Sequence, residues 1–365
     1  MSLSVSDLSQ LVELWEELNL TAADHMNVSR VETLHCSGAV SHASFLTVLS
    51  VFYIFIFLVG LGATAAVIWV SVCCNRKYSG IHVYVLHLAV ADLCVVSTLP
   101  VWVASLLQGG RWLFGDAVCK LTHLIFSVNL FSSIFFLVCM SVDRYLSVTQ
   151  LATAPHSQRK KVQQLICILM WLLALVASIP DTYFLQAVRS SHMDGIICRP
   201  VFPPDRQREW MVGVQLSFII LGFAVPFPVI TFFYLRLAAV VPPGSDRERQ
   251  SARRIILSYI MVFVACWLPF HAVLLLDTLS LLQLLPFSCR LENFLFVSLQ
   301  LTQCCSLVHC CCNPALYGLL HRHDRYQVMK AVIFRYSTKT GLIRLISPAL
   351  NSESSTALTD NSAPV

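Results

Sequence analysis

The sequence predicts an all-α membrane protein, a seven-transmembrane helix bundle with a short amphipathic helix after span seven. Three observations predict it. Hydrophobic residues make up 56% of the chain and charged residues 12%, about half the charged share of an ordinary soluble domain. Residues 33–75, 121–142, 162–180, 210–235, 255–276 and 293–321 contain no Asp, Glu, Lys or Arg, and 78–110 contains Asp92 alone. Each stretch supplies the ~20 apolar residues that cross a hydrocarbon core as a helix, and none alternates as a barrel strand would. Basic residues gather in Arg76–Lys77, Arg144, Arg159–Lys161, Arg236–Arg254 and Arg322–Arg344, which hold about two thirds of the 25 Lys and Arg residues. Basic connections stay in the cytosol. An odd number of spans then puts the N-terminus outside.

Residues 1–42 read as an extracellular acidic glycosylated tail. Asp7, Glu13, Glu16, Glu17, Asp24 and Glu32 face Arg30 as the one basic residue, and Asn19 and Asn27 open glycosylation sequons. No basic-flanked apolar leader opens the chain, so the first span is expected to direct its own insertion. The bundle occupies 43–320, with helices over 43–74, 82–107, 117–149, 161–180, 208–239, 249–280 and 291–320. Pro100, Pro180, Pro226, Pro228, Pro269 and Pro314 lie within these helices, where proline frees a carbonyl and bends the axis. Pro242-Pro243-Gly244 should end the fifth helix. Residues 321–336 alternate basic residues with Tyr326, Met329, Val332, Ile333 and Phe334, which suits an interfacial helix. No cysteine follows Cys312 to carry a palmitoyl anchor. Residues 337–365 read as a disordered Ser/Thr-rich cytoplasmic tail.

Several groups in the spans carry chemistry. A carboxylate in mid-membrane costs about 3 kcal/mol or more, so Asp92 must face inward and have partners. Asn129, Ser133, His309 and Asn313 are the candidate partners, and Asp92, Asn129, Ser133 and Asn313 could hold a sodium ion through oxygen ligands; the alternative is a polar cluster around water. Asp143-Arg144-Tyr145 closes span three and can form a switchable pair at the inner mouth or simply anchor at the interface. Cys266-Trp267-Leu268-Pro269 sets a large ring beside a helix-bending proline, and Asn313-Pro314-Ala315-Leu316-Tyr317 sets an amide beside another. Cys36, Cys119, Cys198 and Cys289 fall on the outer side, where four cysteines allow three pairings. The cysteines of Cys304-Cys305 and Cys310-Cys311-Cys312 are expected to pack as small apolar residues. They lack the spacing of a closed metal site. No nucleophile–base pair and no phosphate-cradling glycine loop is evident, so no enzyme, no cofactor and no nucleic-acid partner is expected.

Taken together, Asp92, Asp143-Arg144-Tyr145, Trp171, Pro226, Cys-Trp-Leu-Pro at 266–269 and Asn-Pro-x-x-Tyr at 313–317 resemble the rhodopsin-like family of G-protein-coupled receptors over roughly residues 45–335. Thr98-Leu99-Pro100 in span two and Trp112-Leu113-Phe114-Gly115 in the first outer connection narrow the resemblance to chemokine receptors. The runs Ile179–Phe184, Thr122–Asn129, Leu221–Pro226 and Ser306–Cys311, with Lys339–Leu342 in the tail, are similar to the atypical, scavenging branch of that family. The resemblance implies Cys119–Cys198 and Cys36–Cys289 disulfides. It implies activation switches at Asp143, Arg144, Tyr145, Tyr234, Trp267, Pro269, Asn313, Pro314 and Tyr317. It also implies a ligand, a basic CXC chemokine of the stromal-cell-derived-factor type. Glu13, Glu16, Glu17, Asp24 and Glu32 would attract such a ligand. Asp181 and Asp277 would receive its basic end, and Trp102, Phe126 and Gln303 would line the floor.

Two departures from the family pattern matter. After Asp143-Arg144-Tyr145 the chain reads Leu146-Ser147-Val148-Thr149 where chemokine receptors carry Leu-Ala-Ile-Val. The expectation is little G-protein coupling, arrestin recruitment and internalisation of ligand from the plasma membrane with recycling through endosomes. Receptor kinases would act on Ser347, Ser352, Ser354, Ser355, Thr356, Thr359 and Ser362. A conventional G-protein-signalling chemokine receptor is the alternative, a transporter the distant third, and a receptor dimer is left open. Thr64 stands where the family usually has Asn, which weakens the sodium assignment at Asp92.

Overall fold

A computed structural model describes residues 42–73, 81–149, 156–190, 195–241, 247–286 and 288–320. The acidic tail with Asn19, Asn27 and Cys36, the amphipathic stretch 321–336 and the phosphate acceptors of 337–365 lie outside the described residues. The helices are α1 His42–Cys73, α2 Ile81–Leu107, α3 Gly115–Val148, α4 His156–Tyr183, α5 Gln207–Ile219, α6 Pro226–Val240, α7 Arg247–Leu281, α8 Cys289–Ser306 and α9 His309–Leu320, with the hairpin β1 Leu185–Ser190 and β2 Gly195–Pro200 between α4 and α5. Among the described residues, seven helical segments are long and apolar enough to cross a membrane. The fifth comprises α5 and α6, and the seventh α8 and α9. Hydrocarbon offers a backbone no partner, so each span satisfies its own carbonyls as a helix.

The spans close into a ring with the third at its centre. α1 packs on α2 and on α9, while α3 meets α2, α4, α6 and α7. Span three's most apolar window is accordingly 67% buried, against 22% for span four. The same position explains the composition of α3, whose buried face mixes Ser127, Asn129, Ser132 and Ser133 with Phe131, Ile134 and Phe136. Trp171 of α4 donates from Nε1 to His87 Nδ1 of α2, 3.2 Å away, and Phe136 packs against both rings.

Two irregularities escape the sequence expectation of plain helices. Ile220–Ala224 forms a π turn, in which the Val225 amide reaches back to Ile220 O at 2.9 Å. Pro226 has no N–H to give, and the wider turn absorbs the mismatch before α6 begins. The seventh span breaks at Leu307–Val308, whose amides donate three residues back to Cys304 O and Cys305 O. That break turns His309 and Asn313 towards Asp92. The expected start of the fourth helix near 161 is corrected to His156, because the Arg159–Lys161 cluster is helical and not a connection.

Gly222 in the π turn is where three spans touch. A Cβ there would lie 2.9 Å from His271 Cε1 of α7 and 2.9 Å from Leu130 Cδ2 of α3. Both neighbours are buried. Overpacking of this kind costs about 1–3 kcal/mol, so Gly222→Ala should lower the melting temperature of the detergent-purified receptor. Gly213→Ala is the control, since its Cβ meets nothing within 4 Å; equal melting of the two variants would refute the close fit.

Candidate functional site

The site is built under the hairpin. β1 and β2 pair antiparallel from Leu185↔Pro200 to Ser190↔Gly195. Cys198 on β2 is disulfide-bonded to Cys119 near the start of α3, Cα to Cα 5.7 Å. Three further bonds fix the hairpin and the loop before α3. The Trp112 amide donates to Ile196 O at 2.7 Å and the Ala187 amide to Asp116 Oδ1 at 3.0 Å. The Trp112 ring donates from Nε1 to Gly115 O at 2.8 Å. Trp112, Cys119 and Leu185 make a small core of their own beneath it. Cys289 is also disulfide-bonded; Cys36, its expected partner, lies outside the described residues.

Between the hairpin and the bundle interior lies a cavity of about 650 Å³. Four of the residues expected to meet ligand line it: Trp102, Phe126, Asp181 and Gln303. Asp181 follows Pro180 in the last turn of α4 and accepts from Ser127 Oγ at 2.7 Å. His123 packs at a tilt against Trp102 with ring centres 4.6 Å apart. Phe126 packs on Trp267 and Phe270 at the floor. Asp277 is not part of the lining. It is half-buried beside the cavity, its Oδ2 accepting from Gln215 Nε2 at 2.6 Å, while Thr278 Oγ1 donates to Gln215 Oε1 at 2.8 Å. Gln215 thus clasps spans five and six and presents itself to the cavity in place of Asp277.

Sequence reasoning missed Glu292, Gln215 and His123, which also line the cavity. Glu292 was legible as a lone acid at the mouth of a span that is charge-free from 293 onward. Gln215 and His123 carried no such signal, because neutral polar residues are common in apolar helices. The five acidic tail residues Glu13, Glu16, Glu17, Asp24 and Glu32 lie outside the described residues.

Deeper in the bundle Asp92 is fully buried. Its Oδ1 accepts from Asn129 Nδ2 at 3.1 Å and its Oδ2 from Asn313 Nδ2 at 3.0 Å. His309 Nε2 is 3.1 Å from Oδ1. Ser133 Oγ and Asn129 Oδ1 have no protein partner. Thr64 is buried, yet its hydroxyl donates to Gly60 O of its own helix at 2.6 Å. The donor set therefore fits sodium poorly: three side-chain nitrogens already meet the two carboxylate oxygens, the buried Cys310 thiol stands beside Asp92 and His309, and the oxygens without a protein partner, Asn129 Oδ1 and Ser133 Oγ, are neutral. The group Cys119, His123 and Cys198 offers no thiolate for a metal, since its two sulfurs form the disulfide.

The expected switch residues are spread along the same axis. Trp267 is fully buried with its Nε1 unpaired, its ring 5.3 Å from that of His309. Pro269 and Pro314 sit inside α7 and α9. Tyr259 donates to Asn313 O at 3.5 Å, and Tyr317 meets His82 edge-on. At the end away from the hairpin, Asp143 Oδ1 accepts from the buried Gln163 of α4 at 3.2 Å. Tyr145 packs on Phe233, and Tyr234 is partly buried against the core. Ser147 and Thr149, the departing residues, turn their hydroxyls back to Asp143 O and Tyr145 O, at 2.6 and 2.8 Å.

Residues 63–317 match the family described as 7 transmembrane receptor (rhodopsin family). Among curated proteins the chain is 50% identical to human Atypical chemokine receptor 3 over 88% of this chain and 89% of that protein. It is 34% identical to human G-protein coupled receptor 182 over 90% of this chain and 78% of that protein. It is 32% identical to C-X-C chemokine receptor type 4 of Xenopus tropicalis, over 73% and 74%. A span order, a cavity and a set of motifs that agree with these matches leave one assignment: the chain belongs to the rhodopsin-like G-protein-coupled receptors, in the chemokine-receptor family, and is a receptor and not an enzyme.

Proposed function

We propose that this chain is an atypical chemokine receptor of the plasma membrane that binds a basic CXC chemokine, recruits arrestin and carries its ligand inward, with little G-protein coupling. The observation that carries the ligand class is the cavity under the hairpin with Asp181 and Glu292 in its wall. A low-dielectric pocket lined by acids binds a cationic peptide end and repels an anionic one. The acidic tail adds attraction at longer range. The Cys119–Cys198 disulfide supports an extracellular hairpin end, since such bonds persist in oxidising compartments.

The weak G-protein coupling rests on the turn that follows Asp143-Arg144-Tyr145. Ser147 and Thr149 sit on the intact end of α3 and donate to the carbonyls of Asp143 and Tyr145, so the departure changes the chemistry of that surface and not its shape. The intact Asp143-Arg144-Tyr145 favours the conventional signalling receptor as the second reading. One panel in transfected cells separates the two: uptake of labelled stromal-cell-derived-factor-type chemokine, arrestin recruitment and G-protein dissociation. Uptake and arrestin recruitment without dissociation is expected. Robust, pertussis-toxin-sensitive dissociation would sink the atypical reading, and no uptake of any basic CXC chemokine would sink the ligand class. Receptor kinases acting on Ser347, Ser352, Ser354, Ser355, Thr356, Thr359 and Ser362 would supply the charge that arrestin reads.

A further inference from the structure

We propose that this receptor has no sodium site at Asp92 because the His309–Asp92 pair takes the ion's place. The hydrogen-bond geometry supports this on its own. His309 Nδ1 lies against Ser306 O, which only accepts, so Nδ1 bears a hydrogen. Nε2 lies 3.1 Å from Asp92 Oδ1, a separation at which two bare lone pairs would repel. One proton therefore lies between nitrogen and oxygen. Whichever atom holds it, the pair is neutral as a whole. The Asn129 and Asn313 amides take up the rest of the carboxylate. A cation arriving here meets three nitrogens, the Cys310 thiol 3.6 Å from His309 Nε2, and no net negative charge.

The ring cannot easily step aside. His309 is 2% exposed, follows the break at Leu307–Val308 and packs against Trp267 with centroids 5.3 Å apart. Span one supplies no charged ligand, since Thr64 offers only a neutral hydroxyl, which donates to Gly60 O of its own helix. The oxygens left over, Asn129 Oδ1 and Ser133 Oγ, are neutral, and two neutral oxygens do not offset the dehydration of a cation in a buried site. His309 also touches Trp267, so the buried pair and the floor of the ligand cavity are joined through one ring with no ion between them.

The test is thermal unfolding of the full-length receptor in detergent, with sodium chloride exchanged against N-methylglucamine chloride at constant ionic strength. The wild type should show no sodium-specific shift. His309→Asn removes the imidazole and its proton and leaves the carboxylate beside an amide oxygen. That variant should gain a sodium-specific rise in melting temperature that grows with the logarithm of concentration. Adding Asp92→Asn should abolish the rise. A saturable sodium-specific shift in the wild type that Asp92→Asn removes would overturn the proposal. A flat response in both wild type and His309→Asn would overturn the role given to His309. The wild-type titration needs no variant, so it decides the absence of the site even where His309→Asn fails to fold.

Discussion

Asp181→Asn should weaken binding of a basic CXC chemokine by about thirtyfold or more. The substitution keeps size and shape, and Ser127 Oγ, now 2.7 Å from Oδ2, can still donate to an amide oxygen. What is lost is the negative charge facing a cationic ligand in a cavity walled by Trp102, Phe126 and Phe270. Removing one member of a desolvated pair costs about 2–5 kcal/mol, and about 1.4 kcal/mol is a factor of ten. Asp277→Asn should do less, about fivefold or below. Asp277 is half-buried and already engaged by Gln215 at 2.6 Å, so a ligand must compete for it in a wetter place. Equilibrium binding of labelled chemokine to purified receptor reads both, with melting temperature as the check that the bundle is intact. Unchanged affinity in Asp181→Asn at unchanged melting would remove Asp181 from the ligand site. A larger loss in Asp277→Asn than in Asp181→Asn would reverse the order the geometry implies.

Cys119→Ser should sharply reduce receptor at the cell surface and abolish chemokine binding by what remains. The bond closes a loop of sequence separation 79, and removing a disulfide costs about 2–5 kcal/mol. Position matters as much as the loop. Cys119 is fully buried with Trp112 and Leu185 in the small core beneath the hairpin, and Cys198 faces Ala187 within the sheet and lines the cavity. Without the bond the hairpin is left to non-covalent contacts such as Trp112–Ile196 and Ala187–Asp116, and the cavity loses the covalent anchor of its roof. The Cys119→Ser/Cys198→Ser double variant controls for the stray thiol and should be no better than either single. Surface staining of an N-terminal epitope, with binding normalised to it, measures both effects. Wild-type binding per surface receptor in the double variant would mean that the hairpin holds itself.

The spans were legible because lipid imposes one rule on every residue in them. Charge-free stretches marked six of the spans, Asp92 alone interrupted the other, and helix ends came within a few residues for all but the fourth. The basic cluster at Arg159–Lys161 misled there, because basic side chains at an interface can ride on a helix as readily as on a loop. The hairpin was not legible. Its strands, Leu185–Ser190 and Gly195–Pro200, are short and half-exposed, and the disulfide and the Asp116 carboxylate hold them more than any alternation in the sequence does. The break at Leu307 was equally hidden, while of the π turn at Ile220–Ala224 only the bend at Pro226 was legible and not its form.

Sequence alone determined the number of spans, the family and the chemical types in and beside the cavity: an acid after Pro180, an acid at 277, aromatic rings at 102 and 126. These follow from residue type and position along a helix, which hydrophobic burial and proline sterics constrain locally. Tertiary structure decided which of those groups face one another. It put Asp181 in the cavity wall and Asp277 behind Gln215, added Glu292, and bonded the Thr64 hydroxyl to its own helix while setting His309 against Asp92. Such choices depend on the rotation of one helix against the next, which long-range packing sets. A helix presents any residue to lipid or to the core according to neighbours that lie far away in the chain.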